Sequence, residues 1–177
     1  MMIISPDEGG MTRAVYYANV LGIDMGMFYK RRDYSRIVNG RNPIVAHEFL
    51  GTSVEGKDVL IIDDMISSGE SMLDTAKELK KRKANRVFIA STFGLFTNGL
   101  DAFDKAYEEG LISKILTTNC IYQSPELLSR PYYVNVDLSK YIALLIDSLN
   151  HDHSISELLD PNEKIHKLLL KYNNHEI

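Results

Sequence analysis

Val59-Leu60-Ile61-Ile62-Asp63-Asp64-Met65-Ile66-Ser67-Ser68-Gly69-Glu70-Ser71 is the stretch that decides the fold. Its four opening apolar residues suit a strand buried on both faces. Beyond residue 71 the period changes. Met72, Ala76 and Leu79 fall on one helical face, while Asp74, Lys77, Glu78, Lys80 and Lys81 occupy the rest. The stretch therefore reads as strand, polar loop, helix, with two acids leaving the strand at the end where open parallel sheets take ligands.

The same alternation continues outward. Residues 86–91 read as a strand, 99–109 as a helix and 114–118 as a strand. Strands separated by helices of that length imply βαβ units, so the expected class is α/β: an open, mainly parallel sheet with helices on both faces. No repeat or linker divides the chain. Residues 1–160 are expected to form one domain and 161–177 a helical tail, with Pro161 at a helix start and Ile165, Leu168 and Leu169 at helical spacing. A strand ending at Ile3-Ile4 runs straight into Ser5-Pro6-Asp7-Glu8-Gly9-Gly10, an unusual place for a domain to begin. An upstream N-terminal half, absent from this chain, is therefore expected.

Composition narrows the function. In 177 residues there are 20 basic and 24 acidic side chains, a net charge of -4 and a pI near 5.7, which argues against a protein held mainly to nucleic acid or to an anionic membrane. No apolar run approaches the ~20 residues of a membrane span, and a cytoplasmic location is expected. Cys120 is the single cysteine. It reads as a small core thiol near the end of a buried strand over 115–121. Lys80-Lys81-Arg82-Lys83 reads as a solvated helix end favoured by the helix dipole.

Each part of the deciding stretch has chemical meaning. Adjacent carboxylates such as Asp63 and Asp64 are costly to bury without partners, but they can accept hydrogen bonds from sugar hydroxyls and hold Mg²⁺ through water. Ser67, Ser68 and Gly69 supply hydroxyls and a permissive backbone, and with a helix N-terminus near Ser71 they form an anion cradle. A sugar phosphate fits such a site. The competing reading, loop acids followed by an ordinary serine helix cap, is weakened by the strand before the acids and the amphipathic helix after the loop.

These residues resemble the C-terminal half of a ribose-phosphate pyrophosphokinase, a phosphoribosyl pyrophosphate (PRPP) synthetase, and so a type I phosphoribosyltransferase-like fold. The likeness runs from Ser5 to about Leu159. Ser5 to Gly10 is similar to the family's pyrophosphate loop. Lys30-Arg31-Arg32 resembles the start of its mobile catalytic loop, and residues 63–71 resemble its ribose 5-phosphate loop. Thr92-Phe93-Gly94-Leu95-Phe96 takes the place of its Thr-His-Gly segment, and residues 137–145 with 154–159 look like its closing helix and tail.

The resemblance implies transfer of diphosphate from Mg-ATP to ribose 5-phosphate, giving PRPP and AMP, in a self-associating enzyme. It implies Lys30 and Arg32 as catalytic groups on the transferring phosphates. Asp63, Asp64, Ser67, Ser68, Gly69 and Ser71 would bind ribose 5-phosphate; Asp7, Gly9 and Gly10 would bind pyrophosphate. Asp7, Asp63 and Asp64 would be the Mg²⁺ ligands.

Three departures stand out: Ser67 and Glu70 where typical members carry Asp and Gly, Phe93 for the usual His, and a longer 30–51 segment, read as a loop containing His47. The half-length chain is expected to bind ribose 5-phosphate better than it catalyses. Two alternatives remain: a PRPP-consuming phosphoribosyltransferase, and a non-catalytic regulatory subunit that keeps the pocket. His151-Asp152-His153 reads as a surface turn, and Tyr132-Tyr133 as strand packing.

Overall fold

Alternation along the strands sorts the apolar side chains onto two faces of one sheet. The computed structural model describes residues 1–32 and 44–176, with side chains described for 1–29 and 48–176. In chain order the elements are β1 (Met2–Ser5), α1 (Met11–Leu21), β2 (Asp24–Arg32), β3 (Ile44–Gly51), β4 (Val59–Ile66), α2 (Glu70–Lys81), β5 (Val87–Gly94), α3 (Asp101–Glu108), β6 (Lys114–Thr118), α4 (Pro125–Leu128), β7 (Tyr133–Val136), α5 (Ser139–Asn150), α6 (Ser156–Leu159) and α7 (Asn162–Asn173). The seven strands lie in the order β3-β2-β1-β4-β5-β6-β7. Every neighbouring pair is parallel except β2 with β3.

Met2, Ile4, Val59, Ile61, Val87, Ile89 and Ile115 point to the main core, where they meet Met72, Ala76 and Leu79 of α2 and Phe103 and Ala106 of α3. Ile3 and Ile62 point the other way, into a smaller cluster with Ala14 and Ala18 of α1. Each of these large aliphatic side chains, once fully buried, is worth about 1.5–3 kcal/mol. Helices on both faces of a mainly parallel sheet is the expected class.

Boundaries moved for local reasons. The α2 helix starts at Glu70 because Gly69, at φ 86°, lets the chain turn directly into it. It stops at Lys81 because Lys83 adopts a left-handed conformation (φ 63°). The basic end is neutralised by Lys81–Glu78 and Lys83–Glu55 ion pairs of 2.6 and 2.9 Å. At the same edge of the sheet Arg86 grips Asp58 at 2.6 Å and holds its carboxyl below the ordinary value.

Two expectations need correction. Residues 30–51 are not a loop throughout: β2 runs to Arg32, and β3 returns antiparallel, pairing His47 with Lys30 and Ile44 with Arg32. Ser5, the last residue of β1, pairs with Met27, so β2 continues five residues past it, about 16 Å at the rise of a strand. Cys120 is not a core thiol. It is exposed, because β6 ends at Thr118 and the following turn is held by Asn119, which accepts the Leu138 N–H and donates to Asp137.

The terminal helix α7 contacts α1. Along α5, Ile142, Ile146 and Leu149 form an apolar stripe at i, i+4, i+7 that stays exposed. Among the described residues, no helix is long and apolar enough to cross a membrane.

Candidate functional site

The strand order reverses between β1 and β4. From β1 the chain moves to β2 on one side, and it later returns to β4 on the other. Loops leaving the carboxyl ends of such a pair diverge and open a crevice. The two loops here are residues 6–10, after β1, and residues 67–69, after β4.

In the first loop the Ser5 hydroxyl donates to the Asp7 carbonyl at 2.7 Å, and the Gly10 N–H donates to Asp7 Oδ1 at 3.2 Å. Gly10 has no room for a side chain, since a Cβ would stand 2.7 Å from Ser5 Oγ and 3.7 Å from the Ile62 carbonyl. The turn is thereby packed beside the middle of β4. Gly9 is exposed, with Asp7 Oδ1 at 3.3 Å from where its Cβ would be.

Asp63 and Asp64 are the fifth and sixth residues of β4, inside the strand and not beyond it. Asp63 Oδ1 accepts the Asp64 N–H at 2.9 Å, and Asp64 Oδ1 accepts the Met65 N–H at 2.8 Å. Arg13, in the first turn of α1, donates to Asp63 Oδ1 at 3.0 Å and lies 3.6 Å from Asp64 Oδ2. Sequence reading missed Arg13, because nothing in its local surroundings marks it and only the α1 crossing brings it to β4. Burial pushes the Asp63 carboxyl above its ordinary value despite this cation; the like charges of Asp64 and Asp7 add to the rise, and the Asp64 N–H opposes it.

The second loop is fixed by backbone and packing. The Ile66 and Ser67 carbonyls accept N–H groups from Leu95 and Thr97 at 2.8 and 3.0 Å. Gly69 lies against the Phe103 ring, and its carbonyl takes the Leu73 N–H at 3.0 Å. Ser67 and Ser71 are exposed and Ser68 half-buried. The arrangement presents three hydroxyls beside the N–H groups that gather at a helix N-terminus.

Glu70 is the first residue of α2 and exposed. Its repulsion of any anion held at this turn therefore belongs at the solvent-screened end, about 1 kcal/mol at ~4 Å. If the loop holds the phosphate of ribose 5-phosphate as the sequence resemblance implies, Glu70→Gln is expected to tighten that binding by about fivefold at low salt, with the gain fading as ionic strength rises. Calorimetry across a salt series checks this. An unchanged affinity at low salt would place the Glu70 carboxylate away from the phosphate.

Lys30 and Arg32 stand on the part of β2 that passes the end of β1; their side chains lie outside the described residues. Phe93 pairs with Met65 across β4 and β5. Phe96 packs edge-on against Phe103 at 5.2 Å, which ties the segment after β5 to the ring on which Gly69 rests. His151 bonds the Asp147 carbonyl within an exposed turn.

Among the described residues, no three His, Cys, Asp or Glu side chains converge on a point where they would hold a metal. Asp63 and Asp64 still fit Mg²⁺ in its usual mode, one or two carboxylates completed by waters and substrate oxygens. Asp64 is 57% exposed, and no protein donor among the described residues reaches Asp63 Oδ2. Beside Asp63 a cavity of about 170 Å³ is walled by Tyr17, Ile62, Ala90, Leu116 and Val136, with Thr92 and Thr118 at its polar side.

Comparison with known proteins gives a consistent picture. Residues 1–128 match the model of the phosphoribosyl transferase domain. The chain is 31% identical over 160 residues to a ribose-phosphate pyrophosphokinase of Vibrio parahaemolyticus, covering 90% of this chain and 48% of that protein. It is 34% identical over 131 residues to one of Pyrococcus furiosus, covering 72% and 44%. The crystal structure of phosphoribosylpyrophosphate synthetase from Mycobacterium smegmatis superposes with a TM-score of 0.70 at 22% identity, over 86% of this chain and 45% of that one. The fold is thus shared, and the chain spans about half the length of the curated relatives it matches.

Proposed function

Because this chain belongs to the phosphoribosyl transferase domain family, we propose that it is the ribose 5-phosphate-binding half of a PRPP-forming enzyme. The reaction is transfer of the diphosphoryl group of Mg-ATP to the C1 hydroxyl of ribose 5-phosphate, giving PRPP and AMP. One observation carries the reading. The acids of β4, the Ser67–Ser71 turn into α2 and the Asp7–Gly10 turn all open at the β1/β4 switch point, as a sugar phosphate with a second anionic group requires. The identity to ribose-phosphate pyrophosphokinases supports it.

In this mechanism Asp63 and Asp64 accept the ribose hydroxyls. Ser67, Ser68, Gly69 and Ser71 cradle the 5-phosphate, and Asp7, Gly9 and Gly10 border the diphosphate. Lys30 and Arg32 neutralise the transferring group. Asp63 and Asp64 would hold Mg²⁺, with Asp7 bordering the same crevice, and the ion would supply charge neutralisation there. Catalysis is chiefly positioning and electrostatics. The 177 residues by themselves are expected to bind sugar phosphate and to transfer little or no diphosphate. We place the enzyme in the cytoplasm and expect it to self-associate, for which the exposed apolar stripe of α5 supplies surface.

Calorimetric titration with ribose 5-phosphate and Mg²⁺ tests the site. Saturable binding is expected, weakened tenfold or more in Asp64→Asn, because each lost charge-assisted bond is worth about 1.5–3 kcal/mol. Absence of binding by the unaltered chain would refute the proposal. The apolar cavity beside Asp63 favours one other reading, a phosphoribosyltransferase with a nucleobase lying there. Nucleobase-dependent consumption of PRPP would establish that reaction in place of synthesis.

A further inference from the structure

We infer that Arg13 is a positioning residue that makes the Asp63–Asp64 pair a receptor for sugar hydroxyls instead of a free-standing cation site. The inference rests on the phosphoribosyl reading above and deepens it.

Two adjacent carboxylates with no cation nearby would carry two negative charges and would capture a divalent ion before any sugar arrived. The guanidinium of Arg13, 3.0 Å from Asp63 Oδ1 and 3.6 Å from Asp64 Oδ2, removes one of those charges. It also determines which oxygens remain. Oδ1 of Asp63 is taken by Arg13 and the Asp64 N–H, and Oδ1 of Asp64 by the Met65 N–H. The Oδ2 atoms are left, that of Asp63 without a protein donor among the described residues and that of Asp64 in ion contact only. A vicinal diol brings two O–H donors to two acceptors. Guanidinium has no acceptor of its own, so it orders the acids without competing for those hydroxyls.

The geometry is built in beforehand. Arg13 is the third residue of α1, directly after the turn that Gly10 presses against Ser5 and the Ile62 carbonyl. Its side chain is 32% exposed and that of Asp63 22%, so the pair sits at the mouth of the crevice, partly screened from water. Lysine could supply the charge but not two fixed N–H groups spanning both acids.

The test uses the full chain, Arg13→Gln and Arg13→Lys, with Mn²⁺ alone and ribose 5-phosphate alone as probes. Removing a unit charge about 5 Å from a divalent ion is worth on the order of tenfold in affinity even at the dielectric of water. Arg13→Gln is therefore expected to bind Mn²⁺ about tenfold more tightly than the unaltered chain, and to bind ribose 5-phosphate without metal about tenfold more weakly. Arg13→Lys is expected to match the unaltered chain toward Mn²⁺ and to fall between the two toward the sugar. Loss of structure would weaken both ligands together, so the opposed changes separate positioning from folding.

Mn²⁺ affinity unchanged in Arg13→Gln would overturn the inference. If the unaltered chain bound no ribose 5-phosphate, the functional proposal would fail. The Mn²⁺ comparison would then decide alone whether Arg13 sets the charge of the acid pair.

Discussion

Gly69→Ala is expected to destabilise the protein by about 2–5 kcal/mol and to abolish ribose 5-phosphate binding. Two costs add. At φ 86° an L-residue pays roughly 1–2 kcal/mol for the left-handed conformation. The new methyl would also stand 2.1 Å from Phe103 Cζ, and Phe103 is fully buried, so the ring cannot swing into solvent. Relieving such overpacking costs about 1–3 kcal/mol. The relief that remains is outward movement of the loop, which drags Ser67, Ser68 and the first turn of α2 away from the phosphate position. Thermal unfolding and calorimetry on the same sample check both halves of the expectation. Gly69→Ala binding ribose 5-phosphate with unaltered affinity would mean that this backbone takes no part in the cradle.

Phe103→Ala is the complementary experiment, with an expected loss of about 3–5 kcal/mol. Phe103 is 0% exposed, contacts Phe96 edge-on and forms the surface on which Gly69 rests. Deleting the ring leaves a cavity where α3, the segment after β5 and the phosphate loop meet. Because native domains are stable by only about 5–15 kcal/mol, the variant is expected to unfold at a much lower urea concentration. Its sugar-phosphate affinity is expected to fall even where it remains folded, since the loop has lost its floor. Gly69→Ala combined with Phe103→Leu is expected to be less damaged than the separate losses summed, because the smaller side chain makes room for the methyl; a double-mutant cycle reads that coupling directly.

The elements legible in sequence were those with a dense apolar period. The β4 run, the Met72-Ala76-Leu79 face of α2 and the β5 and β6 runs each announce themselves over a few residues; the structure has α2, β5 and β6 within three residues of the expected ends, while β4 runs four residues beyond its apolar run, to Ile66. The α1 helix went unread, because its buried stripe consists of two alanines, Ala14 and Ala18, while Val15, Tyr16 and Tyr17 stay exposed. β3 was missed for a different reason. It is the edge strand, paired on one side only and antiparallel to β2, so it lacks the continuous apolar run of a strand buried on both faces. Cys120 was misplaced because a strand continues only while its backbone partners do, and the side chains of Thr118 and Asn119 draw the chain into a turn first.

The candidate site divides along the same line. The local pieces were legible: two adjacent acids on a strand, which the structure places two residues inside its end, hydroxyls and a glycine before a helix, and a Gly-Gly turn after another strand. Each is written in contiguous residues whose chemistry and conformational demands are short-range. It takes the folded chain to make β1 and β4 neighbours at a switch point, to bring Arg13 across from α1 to both carboxylates, and to set Phe103, 34 residues beyond Gly69, beneath the turn into α2. Those contacts depend on how the crossovers bring distant segments together on the two faces of the sheet. No periodicity in a short window encodes them.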